Sequence, residues 1–274
     1  MIENFSHHSV LGVRIDDLSL DTLRLILRNW LMQTTPRIIV TPNPEFVLLA
    51  QKDHEFRHIL NESDLCLPDG VGLRFAVAAL SDDHLKHRHT GADTLIVLAE
   101  LCRNQNQRLV LLGGAPKKTA RAAAWLRDKF PGLEVTNFDP GIIDDQHVRL
   151  SEATLAGVER LEPQVLAVAL GQGKQEKVMK ILQSKIPGLK ILIGIGGSAD
   201  YVSQAVRRAP AGWQRLGFEW LWRLIQEPWR WKRILSAVVV FPLKIVWTAL
   251  RQRRILSACR RVIKEIKLHF ADAT

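Results

Sequence analysis

The sequence predicts an α/β protein: a Rossmann-like, largely parallel sheet with helices on both faces, followed by a helical, basic C-terminal appendage. Three observations carry this. Between residues 37 and 200, short runs of mostly Val, Ile and Leu, bounded by Gly, Pro, Asn or Asp, alternate with longer amphipathic segments. The runs are almost continuously apolar, which implies burial on both faces and therefore parallel pairing. Past about residue 205 the strand pattern stops and the charge changes: residues 1–200 carry a net charge of −1 and residues 201–274 a net charge of +11.

In chain order, the apolar runs 37–40, 65–67, 109–112, 133–135, 165–170 and 191–195 read as strands, each too short for a helix. The amphipathic segments 45–60, 92–104, 117–130, 146–161 and 174–186 read as helices between them. Residues 213–225 read as a further helix that Pro228 interrupts, and a second basic stretch follows over 229–269. The pattern divides the chain into an α/β domain over 1–203 and an appendage over 204–274. Six of the eight tryptophans lie in that appendage. Its apolar run 234–243 has ten residues, fewer than the roughly 20 a spanning helix needs, so it is expected to lie in a membrane interface or to dock on protein.

Composition excludes several classes. A 47% hydrophobic and 24% charged chain is not disordered. Cys66, Cys102 and Cys259 form no C-x-x-C pair, which argues against a disulfide scaffold and fits a reducing compartment. The start MIENFSHHSV has no secretory pattern. No D-x-D, Walker A or G-x-S-x-G occurs, and the spacing of His84, His87 and His89 suits a solvated loop better than a metal site. No metal or other cofactor is therefore expected.

In sheets of this kind ligands bind beyond the carboxyl ends of the strands. The loops there read T-P-N-P-E (41–45), P-D-G-V-G (68–72), G-G-A-P (113–116), G-Q-G-K-Q-E (171–176) and G-I-G-G-S (194–198), and together they suggest one composite site. Gly113, Gly114, Gly171, Gly194, Gly196 and Gly197 would let backbone approach a phosphate. Gly194, Gly196 and Ala199 also match the dinucleotide fingerprint, but its acidic partner about 20 residues on would be Glu219, inside an amphipathic helix. Nicotinamide chemistry is thus disfavoured. Asp69 follows a strand between Pro68, which restrains the backbone, and Gly70, which permits close approach; this suits a general base as well as an ordinary turn.

These segments, with R-H-T-G-A-D (88–93), A-L-G-Q-G-K-Q-E (169–176), G-I-G-G-S-A-D (194–200) and R-A-P-x-x-x-Q-R-L-G-F-E-W-L-W-R-L-I-Q-E-P (208–228), run in one order. In that order the chain resembles the WecG/TagA/CpsF glycosyltransferase family, family 26, from about residue 10 to 233. The resemblance implies an inverting hexosyltransferase that moves N-acetylmannosamine, its uronic acid or a related hexose from a UDP-sugar to a polyprenyl-diphosphate-linked glycan. It implies cell-surface polysaccharide synthesis, such as teichoic acid or exopolysaccharide, at the cytoplasmic face of the bacterial membrane and without a divalent metal. It also implies Asp69 as the base and places Thr41, Asn43, Arg88 and Gln175 in the catalytic site. The chain departs from the family at Gly173, usually Pro, and at Ala211-Gly212-Trp213.

The basic tail calls for an anionic partner. Nucleic acid is the alternative to a membrane surface, but the aromatics fall on an amphipathic helical pattern, which serves a membrane better. Arg223, Arg230 and Arg233 fall within about 80° of one another at 100° per residue, so they share a face if helical geometry continues across Pro228. The resemblance implies that this face closes over the donor diphosphate. A homo-oligomer is compatible with the sequence, which leaves the oligomeric state open.

Overall fold

The computed structural model describes residues 5–144, 148–203, 209–210, 212–213 and 217–271. Its centre is a six-stranded, all-parallel sheet: β3 (Arg37–Val40), β4 (Leu65–Cys66), β5 (Leu109–Gly113), β6 (Val135–Phe138), β7 (Val165–Ala169) and β8 (Ile191–Gly194), in the order β4-β3-β8-β7-β5-β6. The α/β expectation and the parallel sheet are borne out. Alternate strand residues feed two cores, as the period-two geometry of a strand requires. Ile38, Val40, Val110, Leu112, Leu166, Val168 and Leu192 point into one, and Ile39, Leu109, Leu111, Val165, Ala167, Ile191 and Ile193 into the other.

Several elements differ from the sequence reading. An antiparallel hairpin, β1 (Ser6–Val10) and β2 (Val13–Asp17), and a helix α1 (Leu20–Trp30) precede the sheet. The hairpin is stitched to β4 where the buried Asp16 carboxylate accepts the Cys66 N–H at 2.7 Å. The helix expected over 45–60 is two, α2 (Pro44–Ala50) and α3 (His54–Glu62), because the Asp53 carboxylate accepts the Phe56 N–H and caps a second start. The strand expected over 133–135 lies at 135–138, where it pairs with β5. An unanticipated helix, α4 (Val71–Leu80), begins at Gly70, whose φ of 101° few other residues adopt. The helices α5 (Gly91–Asn104), α6 (Pro116–Lys129) and α8 (Lys174–Gln183) fall at expected places, and α9 (Ser198–Val202) follows the glycine turn. The helix expected over 146–161 is shorter, α7 (Glu152–Glu159): residues 148–151 are not helical, and the Ser151 hydroxyl accepts the Thr154 N–H and caps a later start. Gln146 itself lies outside the described residues, as do Arg208, Ala211, Gln214, Arg215 and Leu216 of the 208–228 motif.

The C-terminal segment holds helices at Glu219–Gln226, Pro228–Arg251 and Ile255–Ala271. The second corrects the expectation of an apolar run too short to span: it is one continuous helix of 24 residues, long and apolar enough to cross a membrane. Pro242 does not break it because the preceding turn is widened. The Phe241 N–H donates to Ser236, five residues back, and this π-type turn eases the contact between the proline ring and the carbonyl four residues before it. One side of this helix is built into the protein: Phe241, Ile245 and Ala249 are buried in the same core as Val40 and Val110. The other side exposes Leu243, Val246, Trp247 and Leu250. The terminal helix packs along α4, where Glu265, fully buried, pairs with Arg74 and His84, and Arg261 with Asp82.

Candidate active site

Thr41, Asp69, Gly114, Gly171 and the 195–198 turn all follow sheet strands, so parallel pairing alone gathers them along one edge. The C-terminal segment roofs this edge and leaves two connected chambers. The first, of about 320 Å³, is polar; Thr41, Gly114, Lys118, Gln172, Gln175 and Asp200 line it. The second, of about 370 Å³, lies beneath the Pro228–Arg251 helix and is bounded by Val71, Trp220, Ile234, Ala237, Val238 and Pro242. Asn43, Asp69, Ser198, Arg223, Arg230 and Arg233 line both. Asp69 therefore stands where the two chambers meet.

The Asp69 backbone N–H donates to the Pro42 carbonyl at 2.8 Å, and the Gly91 N–H exerts a weaker pull towards the ionised carboxylate. Asp69 lies deep in the protein yet keeps part of its surface open to the cleft. Burial lifts its pKa to about 6; Arg88 opposes the shift, and Glu219 and Asp93 add to it. A carboxylate so placed is ionised at neutral pH and a better proton acceptor than a surface aspartate.

Other predicted residues take definite places. Asn43 caps α2, its Oδ1 accepting the Phe46 N–H. Thr41 donates to the Gly194 carbonyl at 3.1 Å and ties β3 to β8. Arg88 lines only the apolar chamber, with Nη1 at 3.7 Å from Glu219. Gln175 is 1% exposed and forms part of a buried relay. Its Nε2 donates to Glu176 at 2.7 Å, which fixes the amide so that its Oε1 accepts the Gly196 N–H at 3.0 Å. Glu176 also accepts the Gly173 N–H at 2.7 Å, and burial lifts its carboxyl to about 7 against these bonds.

This relay revises the glycine-cradle expectation. The Gly196 N–H is spent on Gln175 and the Ser198 N–H on Ile195, so neither is free for a phosphate. Gly194 and Gly113 line neither chamber: a Cβ on Gly194 would sit 2.7 Å from Gln175 Nε2, and one on Gly113 would sit 2.5 Å from the Leu170 side chain. These glycines make room for packing. Gly114, Gly171, Gly196 and Gly197 do line the polar chamber. The helix after the turn, α9, has five residues, and Glu219 lies on the roof, so the dinucleotide fingerprint is not assembled.

The three arginines lie over this floor from the roof. Glu227 accepts from Arg223 at 2.9 Å and lies 2.8 Å from Arg230, orienting both. Burial pushes the Glu227 carboxyl up, but Arg223 and Arg230 more than reverse this and hold it below the usual range. Arg223 also stacks on Tyr201, 4.7 Å from the ring centre, and its Nη2 is buried with no hydrogen-bond partner among the described residues. Arg233 instead bonds Glu45 on α2 at 2.6 Å, tying roof to body.

Sequence reasoning did not find Lys118, Glu227 or Glu45. Glu227 had a legible signal, since it stands four residues after Arg223 and three before Arg230. Among the described residues no cluster of three His, Cys, Asp or Glu side chains could hold a metal. His84, His87 and His89 bond separately to Glu265, Asp17 and the Leu18 carbonyl. Trp213, at the motif departure, packs edge-on to Trp222 and Phe218 and lines neither chamber.

The sequence profile of the Glycosyl transferase WecG/TagA/CpsF family matches residues 8–255. The chain is 31% identical over 209 residues to an N-acetylglucosaminyldiphosphoundecaprenol N-acetyl-beta-D-mannosaminyltransferase of Bacillus subtilis (strain 168), covering 76% of this chain and 79% of that protein. It is 26% identical over 248 residues to the enzyme of the same name from Staphylococcus aureus (strain MRSA252), covering 88% of this chain and 93% of that one.

Proposed function

This chain belongs to the WecG/TagA/CpsF glycosyltransferase family, and from that premise we propose that it transfers an N-acetylmannosaminyl or related hexosyl group from a UDP-sugar to a polyprenyl-diphosphate-linked N-acetylglucosamine. The polar chamber takes the donor diphosphate and the apolar chamber the acceptor, with the reacting carbons meeting at Asp69. The observation that carries this reading is the position of Asp69 where two chambers meet beneath the three arginines, one lined by Lys118, Gln172 and Gly197 and one walled by Trp220, Ile234 and Val238. The relatives' names support the acceptor and the sugar.

The acceptor hydroxyl attacks the anomeric carbon on the face opposite the diphosphate. The bond from that carbon to the diphosphate oxygen breaks, UDP leaves with the electron pair, and the hydroxyl proton passes to Asp69; the anomeric centre inverts. Charge growing on the leaving diphosphate is met by Arg223 and Arg230, so no divalent metal is required. The unpartnered Nη2 of Arg223 above Gly197 supports this role.

The enzyme works peripherally on the cytoplasmic face of the membrane. Support comes from the exposed apolar side of the Pro228–Arg251 helix, with Trp229, Trp231 and Trp247 exposed and Lys232, Lys244 and Arg251 among them. A continuous apolar face fits lipid better than nucleic acid, which would call for bases stacked in a polar groove. Purified protein in detergent and chelator should release UDP and lengthen a short-chain polyprenyl-diphosphate N-acetylglucosamine when offered a panel of UDP-sugars. Absence of transfer from every donor would overturn the reading.

A further inference from the structure

Arg88 pairs with one carboxylate, Glu219, and acts on a second, Asp69. It approaches from the loop before α5, lines the chamber that Asp69 opens into, and is itself partly exposed. Glu219 stands on the first turn of the Glu219–Gln226 helix, and its Oε2 lies 3.7 Å from Arg88 Nη1. Glu219 is thus an acid brought to the catalytic edge by the roof, not by the sheet.

We propose that Glu219 is a positioning residue: it engages the Arg88 guanidinium so that Arg88 does not close on Asp69. This rests on the reading of Asp69 as the base. Glu219 compensates the cation that acts most strongly on Asp69, and the chain overlying the cleft removes water from it. Both effects favour the protonated carboxyl, which is to say a stronger base. An uncompensated Arg88 would leave Asp69 an ordinary, weak carboxylate.

The titratable and charged groups that share the two chambers with Asp69 or act on its charge come from every packed element: Arg88 before α5, Asp93 on α5, Lys118 on α6, Asp200 and Tyr201 on α9, Glu45 on α2, and Glu219, Arg223, Arg230 and Arg233 on the roof. Of these, Arg88 and Glu219 are the two charges that act most strongly on Asp69, and their removal has opposite expected signs.

The test is the pH profile of kcat/KM for the full-length protein in detergent, with UDP-N-acetylmannosamine and a short-chain polyprenyl-diphosphate N-acetylglucosamine. In Glu219→Gln the acidic limb should move to lower pH by about half a unit to one unit, with a plateau rate reduced about threefold or more. In Arg88→Gln the limb should move to higher pH, and the double variant should return it towards the parent position. Glu219→Asp, which keeps the charge on a shorter arm, should move the limb in the same direction as Glu219→Gln but less, and serves if the Gln variant does not fold. An unmoved limb in both Glu219 variants, whatever the loss of rate, overturns the proposal. Undiminished turnover in Asp69→Asn would instead overturn the reading of Asp69 itself.

Discussion

Arg223 occupies the space that a side chain on Gly197 would fill: a Cβ there would stand 2.8 Å from Arg223 Nη2 and 3.6 Å from Arg230 Nη2. The glycine at this position admits the two guanidinium groups to the floor of the donor chamber.

Gly197→Ala should therefore weaken the donor without harming the fold. The backbone at 197 has a φ of −81°, which alanine adopts freely, and the displaced atoms end flexible side chains. Thermal unfolding should stay within about 0.5 kcal/mol of the parent. UDP affinity measured by calorimetry should fall about three- to tenfold, the effect of displacing a charged hydrogen bond. Unchanged affinity would place the diphosphate elsewhere.

Asp69→Asn should fold, bind UDP and lose turnover by about 10²-fold or more, the usual effect of removing a general base. In the parent protein kcat/KM should fall as pH drops below about 6, because the carboxyl then carries a proton and cannot accept another. Stopped assays across pH 5 to 8 on a soluble acceptor would show this limb, and its loss in the variant would identify its owner.

The buried Glu176 should make the protein less stable as pH rises. Its folded pKa of about 7 stands above the ordinary 4.5, so the folded state holds a proton that the unfolded chain has released between those values. Its favourable contribution is complete below about pH 4.5 and is lost as pH climbs through 7. Urea unfolding between pH 5 and 7.5 should lose up to about 3 kcal/mol from this source. Glu176→Gln should flatten that slope, whatever its effect on the absolute midpoint. An unaltered slope would mean the carboxyl titrates normally.

Roof and membrane face should separate by mutation. Arg230→Ala should cut turnover on a soluble acceptor about tenfold or more while scarcely changing sedimentation with anionic liposomes. Leu243→Asp, on the exposed side of the Pro228–Arg251 helix, should do the reverse, leaving turnover on the soluble acceptor intact and weakening liposome binding about tenfold. If Leu243→Asp leaves liposome binding unchanged, that face meets something other than lipid.

The sheet was legible because its strands carry their burial in the sequence: 38–40, 109–112 and 165–170 are apolar throughout, and parallel order follows from helices of adequate length between them. So was the catalytic edge, since Asp69 and Thr41 follow strands directly. The hairpin at residues 6–17 was not legible, because SHHSV and VRIDD carry polar side chains whose partners, such as Asp16 to Cys66, lie far off in sequence. Helix α4 escaped notice for the opposite reason. VGLRFAVAAL is apolar on nearly every side, so no helical period shows, and its surroundings come from the hairpin and from helices that follow much later. The glycine turn misled because a G-x-G pattern gives the space around a backbone and not what fills it; here Gln175 does. Arg223 and Arg230 were found by periodicity, but Glu227 between them marks the spacing as an ion-pair ladder as well as a binding face.

Helix α4 also bears on how the protein is made. It leaves the ribosome long before the helix carrying Phe241, Ile245 and Ala249, which supplies its apolar cover. During that interval the nascent chain presents an uncovered apolar surface next to an unfinished cleft. Because closing so long a loop is slow relative to forming local helices, maturation should end with the tail, and the newborn enzyme should become competent only after that late step.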